Sequence, residues 1–430
     1  MKTFVYFTNF YQKENKVLIN IRKNLVKLIF NLCLIYSFIH FIFPSFALER
    51  NESWKDVLKK ASGQTIYFHA WGGAKNINSY IKWAAGEVKK KYNITVKHVK
   101  VSDTANVVAK ILSEKNVKKN NNGSVDLVWI NGENFSLMKS NNLLLSEKWI
   151  FNLPNSKFLD FSNDPSLLND FGIPTDGMEM PWGVSQLNFY YDTKYINSPP
   201  RSALELKNYI IKNKGRFTFP QPPDFVGTSF LKQILIELIS DKKLLKLKYV
   251  TQQHERELDT LWQWLDEVTP HLWRRGKNYP SNYSAITELV AEREIDLGMA
   301  FNIAHASNSI SEGKLSNSVR SYIHDKGTLA NVHFVAIPYN SSNKAASKVF
   351  ANFLISPEAQ IKKQNKDFWG DPSVISINKL SQKWKNKFST LPRGLATLTN
   401  EDLRMKLEEP HPSWVKVIED KWIKKYGSSN

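Results

Sequence analysis

A short apolar run that ends in a polar cluster constrains the fold of this chain more than any other feature. Residues 125–130 read Val-Asp-Leu-Val-Trp-Ile, with turn-forming residues on both sides. A run this apolar and this rich in β-branched and aromatic residues is typical of a buried strand in a parallel sheet. Asn131, Gly132, Glu133 and Asn134 follow at its carboxyl end. Ligands of open α/β sheets bind beyond the carboxyl ends of the strands, so we expect a small-molecule site here. The same residues could equally serve as a helix cap alone.

Strands and helices alternate through the first third of the chain. We predict strands at residues 65–70 and 93–100 and helices at residues 76–91 and 105–114, from the period of their apolar positions. This βαβαβ order predicts a mostly parallel sheet with right-handed crossovers. The fold class is therefore α/β. A strand predicted at residues 184–192 is interpreted as the first crossing into a second lobe.

The amino terminus has the pattern of an export signal. Arg22 and two lysines precede an uncharged apolar run at residues 28–43, and small residues precede a cut after Ala47. We expect secretion through the Sec pathway into the periplasm, with cleavage after Ala47. An uncleaved anchor is the alternative, although the run is short of the roughly 20 residues that span a membrane. Cys33 is the single cysteine, so cleavage leaves a chain without disulfides, thiol catalysis or cysteine metal sites.

Composition narrows the class of protein further. A length of 430 residues allows two or three domains, and 42% hydrophobic with 23% charged residues is typical of a globular protein. The net charge is +19, of which residues 1–47 carry +5, so +14 remains after cleavage. The basic residues are scattered among asparagines without an aromatic-basic groove pattern. We therefore interpret them as solvated surface and do not expect nucleic acid as a partner.

Two further segments have the composition of ligand loops. Trp71, Gly72 and Gly73 follow the first predicted strand, and the glycines would let backbone N–H groups approach a ligand. Thr228 and Ser229 precede a helix predicted at residues 230–239, where they could hold an anion or simply cap the helix.

Aromatic residues beside acidic or amide residues suggest the chemistry of the ligand. Trp71, Trp182, Trp369 and Tyr190 lie next to Gly, Asn or acidic residues in predicted loops or strand ends, and Asn302 ends a predicted strand as Asn131 does. The carboxylates that accompany them are Glu133, Asp176, Glu179 and Asp371. Aromatic faces with carboxylates suit an organic cation such as thiamine or a polyamine. A neutral or anionic solute held by Thr228, Ser229 and helix N–H groups is the alternative.

No set of residues makes a strong catalytic case. The histidines do not fall at metal-ligand spacings, and a G-x-S-x-G nucleophile elbow is absent from the sequence. We therefore predict no metal and no cofactor. Asp176 and Glu179 could be the carboxylate pair of an exported carbohydrate hydrolase, which remains the alternative function.

Several runs together resemble the periplasmic solute-binding proteins of ABC importers, and among them the YnjB-type family. The runs that carry the resemblance lie at residues 70–73, 125–134, 181–183, 220–228, 230–233, 333–338, 352–360 and 369–372. The resemblance implies a two-lobed type II periplasmic binding protein fold, in which each lobe is a mostly parallel sheet flanked by helices. It also implies a cleft between the lobes that closes on a small-molecule ligand, and delivery to an ABC permease and its ATPase. We also expect a monomer that is not an enzyme.

On this basis we divide the chain and name candidate ligand contacts. The expected segments are the signal at 1–47, the first lobe at 48–185, the second lobe at 186–301, a return to the first lobe at 302–355, and C-terminal helices at 356–430 that pack mainly on the second lobe. The candidate contacts are Trp71, Gly72, Gly73, Asn131, Glu133, Asn134, Glu179, Trp182, Tyr190, Thr228, Ser229, Asn302, Trp369 and Asp371.

Overall fold

The computed structural model describes residues 52–146, 148–399 and 401–427, together with Arg22, Lys27 and Ile29. The predicted cleavage site after Ala47, Cys33 and almost all of the apolar run lie outside the described residues. The chain divides into two compact units, residues 1–53 and 54–430, and the fold below is that of the second unit. Among the helices of the described residues, none is both long and apolar enough to cross a membrane.

The helices and strands of residues 54–430 alternate along most of the chain. Up to residue 192 they are α1 (Trp54–Ala61), β1 (Thr65–Trp71), α2 (Lys75–Tyr92), β2 (Thr95–Val101), α3 (Thr104–Asn116), β3 (Leu127–Ile130), α4 (Glu133–Ser140), β4 (Asn169–Asp170), β5 (Ile173–Pro174), β6 (Glu179–Gln186) and β7 (Asn188–Asp192). After residue 192 they are α5 (Ala203–Lys212), α6 (Phe225–Leu238), α7 (Thr251–Val268), α8 (Tyr283–Ala291), β8 (Leu297–Ala300), α9 (His305–Ser311), β9 (Val319–Tyr322), β10 (Thr328–Ala336), α10 (Lys344–Leu354), α11 (Pro357–Gln364), α12 (Gln382–Ser389), β11 (Lys406–Leu407) and α13 (Ser413–Tyr426).

The first lobe is built on one six-stranded sheet. Its strand order is β11-β10-β3-β1-β2, and β6 pairs with residues 330–336 of β10. The predicted βαβαβ unit is confirmed, because β1 pairs in parallel with both β2 and β3. Strand β10 runs antiparallel to β3 and β6. Leu127, Val128 and Ile130 are fully buried at the centre of this sheet, as a parallel strand covered on both faces requires.

The second lobe differs from the expected mostly parallel sheet. Its sheet has the order β8-β7-β9, and β7 pairs antiparallel with both neighbours. Residues 216–219 run beside β8 but form no ladder with it. The Asp296 amide donates to the Arg216 carbonyl (2.8 Å), and the Trp273 amide donates to the Phe217 carbonyl (2.8 Å). Prolines follow directly from residue 220, and proline cannot donate to a ladder.

The lobes divide the chain differently from our expected boundaries. Strand β9 belongs to the second-lobe sheet, so the return to the first lobe begins with β10 and not at residue 302. Helices α10, α11 and α12 place Phe350, Ala359 and Phe388 in the core of the first lobe. Helix α13 packs on the second-lobe core through Trp414, Ile418 and Trp422. The C-terminal helices therefore serve both lobes, because each presents its apolar face to the nearest uncovered core.

Within residues 54–427 that the structure describes, three chain segments join the lobes. The first is the β6–β7 connection, and the second is the loop between β9 and β10. The third, which we call the strap, consists of residues 390–399. Its Leu391 packs against the first-lobe core, whereas Ala396 packs with Tyr190 in the second lobe.

Candidate functional site

The carboxyl ends of β1 and β3 face helices of the second lobe. Trp71, at the end of β1, has its ring centroid 6.3 Å from that of Tyr283, which begins α8. Glu133, at the start of α4, interacts electrostatically with Lys232 of α6. We call the space between these walls the cleft. It lies where ligands bind in open α/β sheets, beyond the carboxyl ends of the strands.

A buried ion pair lies on the second-lobe side of the cleft. Lys232 Nζ lies 2.5 Å from Glu409 Oε2, and 2% of each side chain is exposed. The ammonium also lies 4.6 Å from the ring centroid of Phe171 and 5.9 Å from that of Phe225. Glu409 Oε1 has no hydrogen-bond partner among the described residues. The single lysine charge is thus already neutralised by Glu409.

The first-lobe wall is shaped by a glycine and an acidic residue. Gly132 has φ +63°, and its amide donates to Asp170 Oδ2 at 2.7 Å. A Cβ at position 132 would lie 2.7 Å from the Phe171 ring. Glycine alone combines this backbone conformation with this close approach. Asp170 is buried, and burial together with the neighbouring charges of Glu133 and Glu409 raises the pKa of its carboxyl well above the ordinary value.

Two more carboxyl groups add negative charge to the cleft. Glu133 is open to solvent, yet protein surrounds it closely enough that desolvation raises the pKa of its carboxyl. Glu419, from α13, accepts a hydrogen bond from the Thr228 hydroxyl at 2.7 Å. Burial, and secondarily the charge of Glu133, raises the pKa of Glu419 to about 7. The carboxyl groups near Lys232 are therefore more numerous than its single ammonium group. They belong to Glu133, Asp170, Glu409 and Glu419.

The amino terminus of α6 does not offer the anion site that the sequence suggested. The helix begins at Phe225 and not at residue 230, because Asp224 caps it by accepting from the amides of Val226 (2.9 Å) and Gly227 (3.1 Å). Thr228 and Ser229 therefore lie inside the helix, and the Thr228 amide already donates to the Asp224 carbonyl. A capping carboxylate occupies the position that an anion would take.

Several predicted aromatic contacts belong to the cores. Trp182 is fully buried and Trp369 is 1% exposed, and their ring centroids lie 5.3 Å apart. Asp371 is paired with Lys363 at 2.7 Å, with at most 1% of either side chain exposed, so its charge is neutralised. Tyr190 is fully buried in the second lobe, where its hydroxyl lies 3.0 Å from that of Thr287.

The predicted amide and glycine residues remain near the lobe boundary. Asn134 is buried and its side-chain amide donates to Glu133 Oε1 at 3.2 Å, while Asn131 is half-buried. Gly72 donates to the Val101 carbonyl at 3.0 Å. Gly73 is exposed and touches the Trp71 ring too closely for any side chain.

One carbonyl collects amide groups from both lobes. The Trp369 carbonyl oxygen lies 3.4 Å from the side-chain amide of Asn76 in the first lobe. It also lies 3.4 Å from that of Asn302 and 3.2 Å from that of Asn308, both in the second lobe. The predicted site residue Asn302 thus contributes to the contact between the lobes.

The two carboxylates of the hydrolase alternative do not flank a common solvent-accessible site. Asp176 is exposed and paired with Lys139 at 2.7 Å. Glu179 is fully buried, and neither of its oxygens has a partner among the described residues. Burial, and then the charge of Asp170, raises the pKa of Glu179 well above the ordinary value. Over the described residues, no group of three or more His, Cys, Asp or Glu side chains could hold a metal ion.

Sequence reasoning missed most of the charged groups at the cleft. Lys232 had a usable signal, since it and Glu237 are the two charged residues of an otherwise apolar helix, and such a residue is buried only with a partner. Asp170, Glu409 and Glu419 had none, because they come from a short loop strand and from the C-terminal tail, far from Glu133 in sequence.

Two α/β lobes joined by three crossings, with a cleft at the carboxyl ends of the strands, define a type II periplasmic binding protein. Residues 83–388 match the sequence profile of the family described as bacterial extracellular solute-binding protein, and the chain belongs to this family. It is the exported solute-binding component of an ABC transporter.

Individual relatives support the same assignment. The chain is 40% identical to Protein YnjB of Escherichia coli (strain K12) over 375 residues, which cover 87% of this chain and 94% of that protein. The fold is similar to the periplasmic binding protein AfuA of Actinobacillus pleuropneumoniae, with a TM-score of 0.58, 15% identity, and coverage of 85% of this chain and 99% of AfuA. It is also similar to the spermidine/putrescine substrate-binding protein PotD of Streptococcus pneumoniae, with a TM-score of 0.55, 15% identity, and coverage of 84% and 98%.

Proposed function

We propose that the solute of this binding protein is an organic cation. The observation that carries the proposal is the surplus of carboxyl groups around Lys232. Glu133, Asp170 and Glu419 remain after Lys232 and Glu409 neutralise each other. A cationic solute of the polyamine or thiamine kind would supply the missing positive charge.

The raised pKa values of these carboxyl groups support the same ligand class. Glu133, Asp170 and Glu419 hold their protons more tightly than free carboxylic acids do, because burial and mutual repulsion penalise the anions. A bound cation would relieve this repulsion and take the place of the protons. An anionic solute would increase it.

Aromatic groups beside the carboxylates suit a cation as well. The Phe225 side chain is 42% exposed, and Lys232 already lies against the faces of Phe171 and Phe225. Trp71 and Tyr283 face each other across the lobes. Ring faces attract cations by about 0.5–2 kcal/mol, depending on how well the site excludes water.

The names of related proteins do not decide between ligand classes. PotD is named for spermidine and putrescine, whereas the AfuA structure is described with fructose-6-phosphate bound. The choice between a cationic and an anionic solute therefore rests on the charged residues of this chain. The proposed contacts are Trp71, Gly72, Gly73, Asn131, Glu133, Asn134, Phe225, Thr228, Tyr283, Asn302, Glu409 and Glu419.

The proposal includes the finer points of cellular role. The protein is secreted through a signal peptide cleaved after Ala47 and works in the periplasm as a monomer. It is not an enzyme, and it delivers its solute to an ABC permease driven by an ATPase. The lobes close on the solute by bending at the β6–β7 connection and at the loop between β9 and β10, since crossing segments absorb such rotations.

The experiment is a thermal-shift and calorimetric screen of refolded residues 48–430. Putrescine, spermidine and thiamine represent the cations, and fructose 6-phosphate and glucose represent the alternatives. A ligand at a hundred times its dissociation constant stabilises by about 2.7 kcal/mol, which gives a clear shift. Stabilisation by fructose 6-phosphate or glucose and by none of the cations would contradict the proposal.

A variant of the cleft and a matched surface variant test whether the ligand binds in the cleft. Glu133→Gln should weaken binding of the cation roughly 10-fold or more, since hydrogen bonds to charged groups contribute about 1.5–3 kcal/mol. Asp176→Asn removes an equal charge from the surface and should leave affinity unchanged. Equal loss in both variants would indicate a general charge effect and not a contact at Glu133.

A further inference from the structure

A separate cavity lies at the strap. Its volume is ≈ 360 Å³, and it shares no lining residue with the contacts proposed for the cleft. Ile303 and Ala304 line it from the second lobe, whereas Ser373 and Ile375 line it from the first. A molecule in this cavity would therefore touch both lobes.

The strap forms the outer wall of this cavity and is fixed to the second lobe. The Ala396 amide donates to the Ser307 hydroxyl oxygen at 2.9 Å, and the Thr397 hydroxyl donates to the same oxygen at 2.8 Å. Gly394 packs so closely on Ser307 that a side chain there would collide with it. The wall is thus a defined part of the fold.

The lining combines an apolar floor with positive charge. Ile375, Ile377 and Phe388 supply apolar surface, and Lys366, Lys385 and Arg393 supply three cationic groups. Among the described residues that line the cavity there is no Asp or Glu. The lining is thus divided about equally between polar and apolar surface. A concave site of a few hundred Å³ that offers both apolar surface and polar groups is suited to a small molecule.

The acidic residues near these cations lie outside the lining. Asp367 pairs with Lys366 at 2.6 Å. Asp402 interacts electrostatically with Arg393, but its carboxylate already accepts from the Thr399 amide at 2.7 Å. The cavity therefore keeps a surplus of positive charge, in contrast to the cleft.

We propose that the strap cavity binds a small organic anion that has an apolar body, such as an aromatic phosphate monoester or carboxylate. The anionic group would contact Arg393 and Lys385, since guanidinium and ammonium groups both bind phosphate and carboxylate. The apolar body would rest on Ile375, Ile377 and Phe388. This site goes beyond the proposed solute of the cleft and has the opposite charge preference.

The test uses phenyl phosphate as the probe and isothermal titration calorimetry of residues 48–430. Phenyl phosphate should bind at one site, and benzylamine should not bind at that site. The double variant Lys385→Ala/Arg393→Ala should weaken phenyl phosphate at least 10-fold. Lys59→Ala/Lys82→Ala removes the same charge from exposed positions of α1 and α2 and should leave affinity unchanged.

Two further variants locate the probe. Ser389→Trp places an indole at the cavity and should block phenyl phosphate without altering the charge. Glu133→Gln changes the cleft and should leave phenyl phosphate binding intact, so failure of this proposal is distinguishable from failure of the cation proposal. Absence of phenyl phosphate binding, equal affinity in the Lys385/Arg393 variant, or loss in Glu133→Gln would each overturn the strap-cavity site.

Discussion

Lys232 and Glu409 form an ion pair of 2.5 Å that joins helix α6 to the C-terminal tail, with 2% of each side chain exposed. The pair ties the tail to the helix that forms one wall of the cleft. Both charges are removed from water, so each is costly to bury unless its partner neutralises it.

Removing one partner should be costly. We expect Lys232→Met to lower the free energy of unfolding by about 3–5 kcal/mol, because Glu409 is then left buried and unpaired. The double variant Lys232→Met/Glu409→Gln should recover most of the loss. Urea denaturation followed by tryptophan fluorescence measures both.

The neighbouring pair Lys246–Glu408 is a matched control. It has the same length, but its side chains are 63% and 76% exposed. Lys246→Met should change stability by about 0–1 kcal/mol. A similar loss in Lys232→Met and Lys246→Met would show that burial of the first pair has no special effect.

Binding of a cation should be linked to pH through Glu419. Its pKa of about 7 in the folded protein lies above its ordinary value of 4.5, so a proton must leave when a cation binds in the intervening range. Affinity for a cation should therefore rise between about pH 5 and pH 8. Calorimetry in two buffers of different ionisation enthalpy would detect the released proton, and Glu419→Gln should flatten the profile.

The same shift predicts the pH dependence of stability. The folded state holds the Glu419 proton more tightly than the unfolded state, so this group's contribution is fully present below the ordinary pKa and is lost as pH rises through about 7. Without ligand, Glu419→Gln should reduce the fall in thermal midpoint across this range. An unchanged fall in the variant would assign the effect to other carboxyl groups.

Gly132 should tolerate no side chain. We expect Gly132→Ala to cost about 1–3 kcal/mol, because alanine is strained at φ +63° and its Cβ would meet the Phe171 ring. Gly86→Ala is the control, since Gly86 lies inside α2 with open space around it and alanine there should stabilise by about 0.5–1 kcal/mol. In thermal unfolding, the midpoint should therefore fall for Gly132→Ala and rise for Gly86→Ala.

Asn308 should help to hold the lobes together. Its side-chain amide donates to the Trp369 carbonyl, which also receives Asn76 and Asn302. Asn308→Ala should favour lobe separation by about 1 kcal/mol, the typical contribution of one hydrogen bond. Small-angle scattering of the ligand-free protein should then report a larger radius of gyration than wild type, while surface variant Asn163→Ala should match wild type.

The sheet of the first lobe could be predicted because its signals are local. The strand near residue 127 and the helices before it follow directly from apolar periodicity, and their parallel pairing follows from the crossover rule. The second-lobe sheet could not be predicted in the same way, because its pairing depends on how β7 enters from the first lobe. The start of α6 was placed too late, since the Val-Gly-Thr-Ser run reads as a loop until Asp224 is recognised as its cap.

The candidate site was predicted in part for the same reason. Glu133 and Trp71 follow predicted strands, and the fold brings both to the cleft. Trp182 and Trp369 also have polar neighbours in sequence, yet they fill the first-lobe core, where their rings pack against each other. Glu409 and Glu419 reach the cleft by long-range packing, which no local pattern records.

The tail that supplies Glu409 and Glu419 lies beyond residue 388, where the match to the family profile ends. The tail therefore completes both the charge of the binding site and the fold, because β11 pairs with β10 and α13 packs on the second-lobe core. Replacing the corresponding tail of a relative with residues 401–427 would test whether this tail determines which ligand is bound.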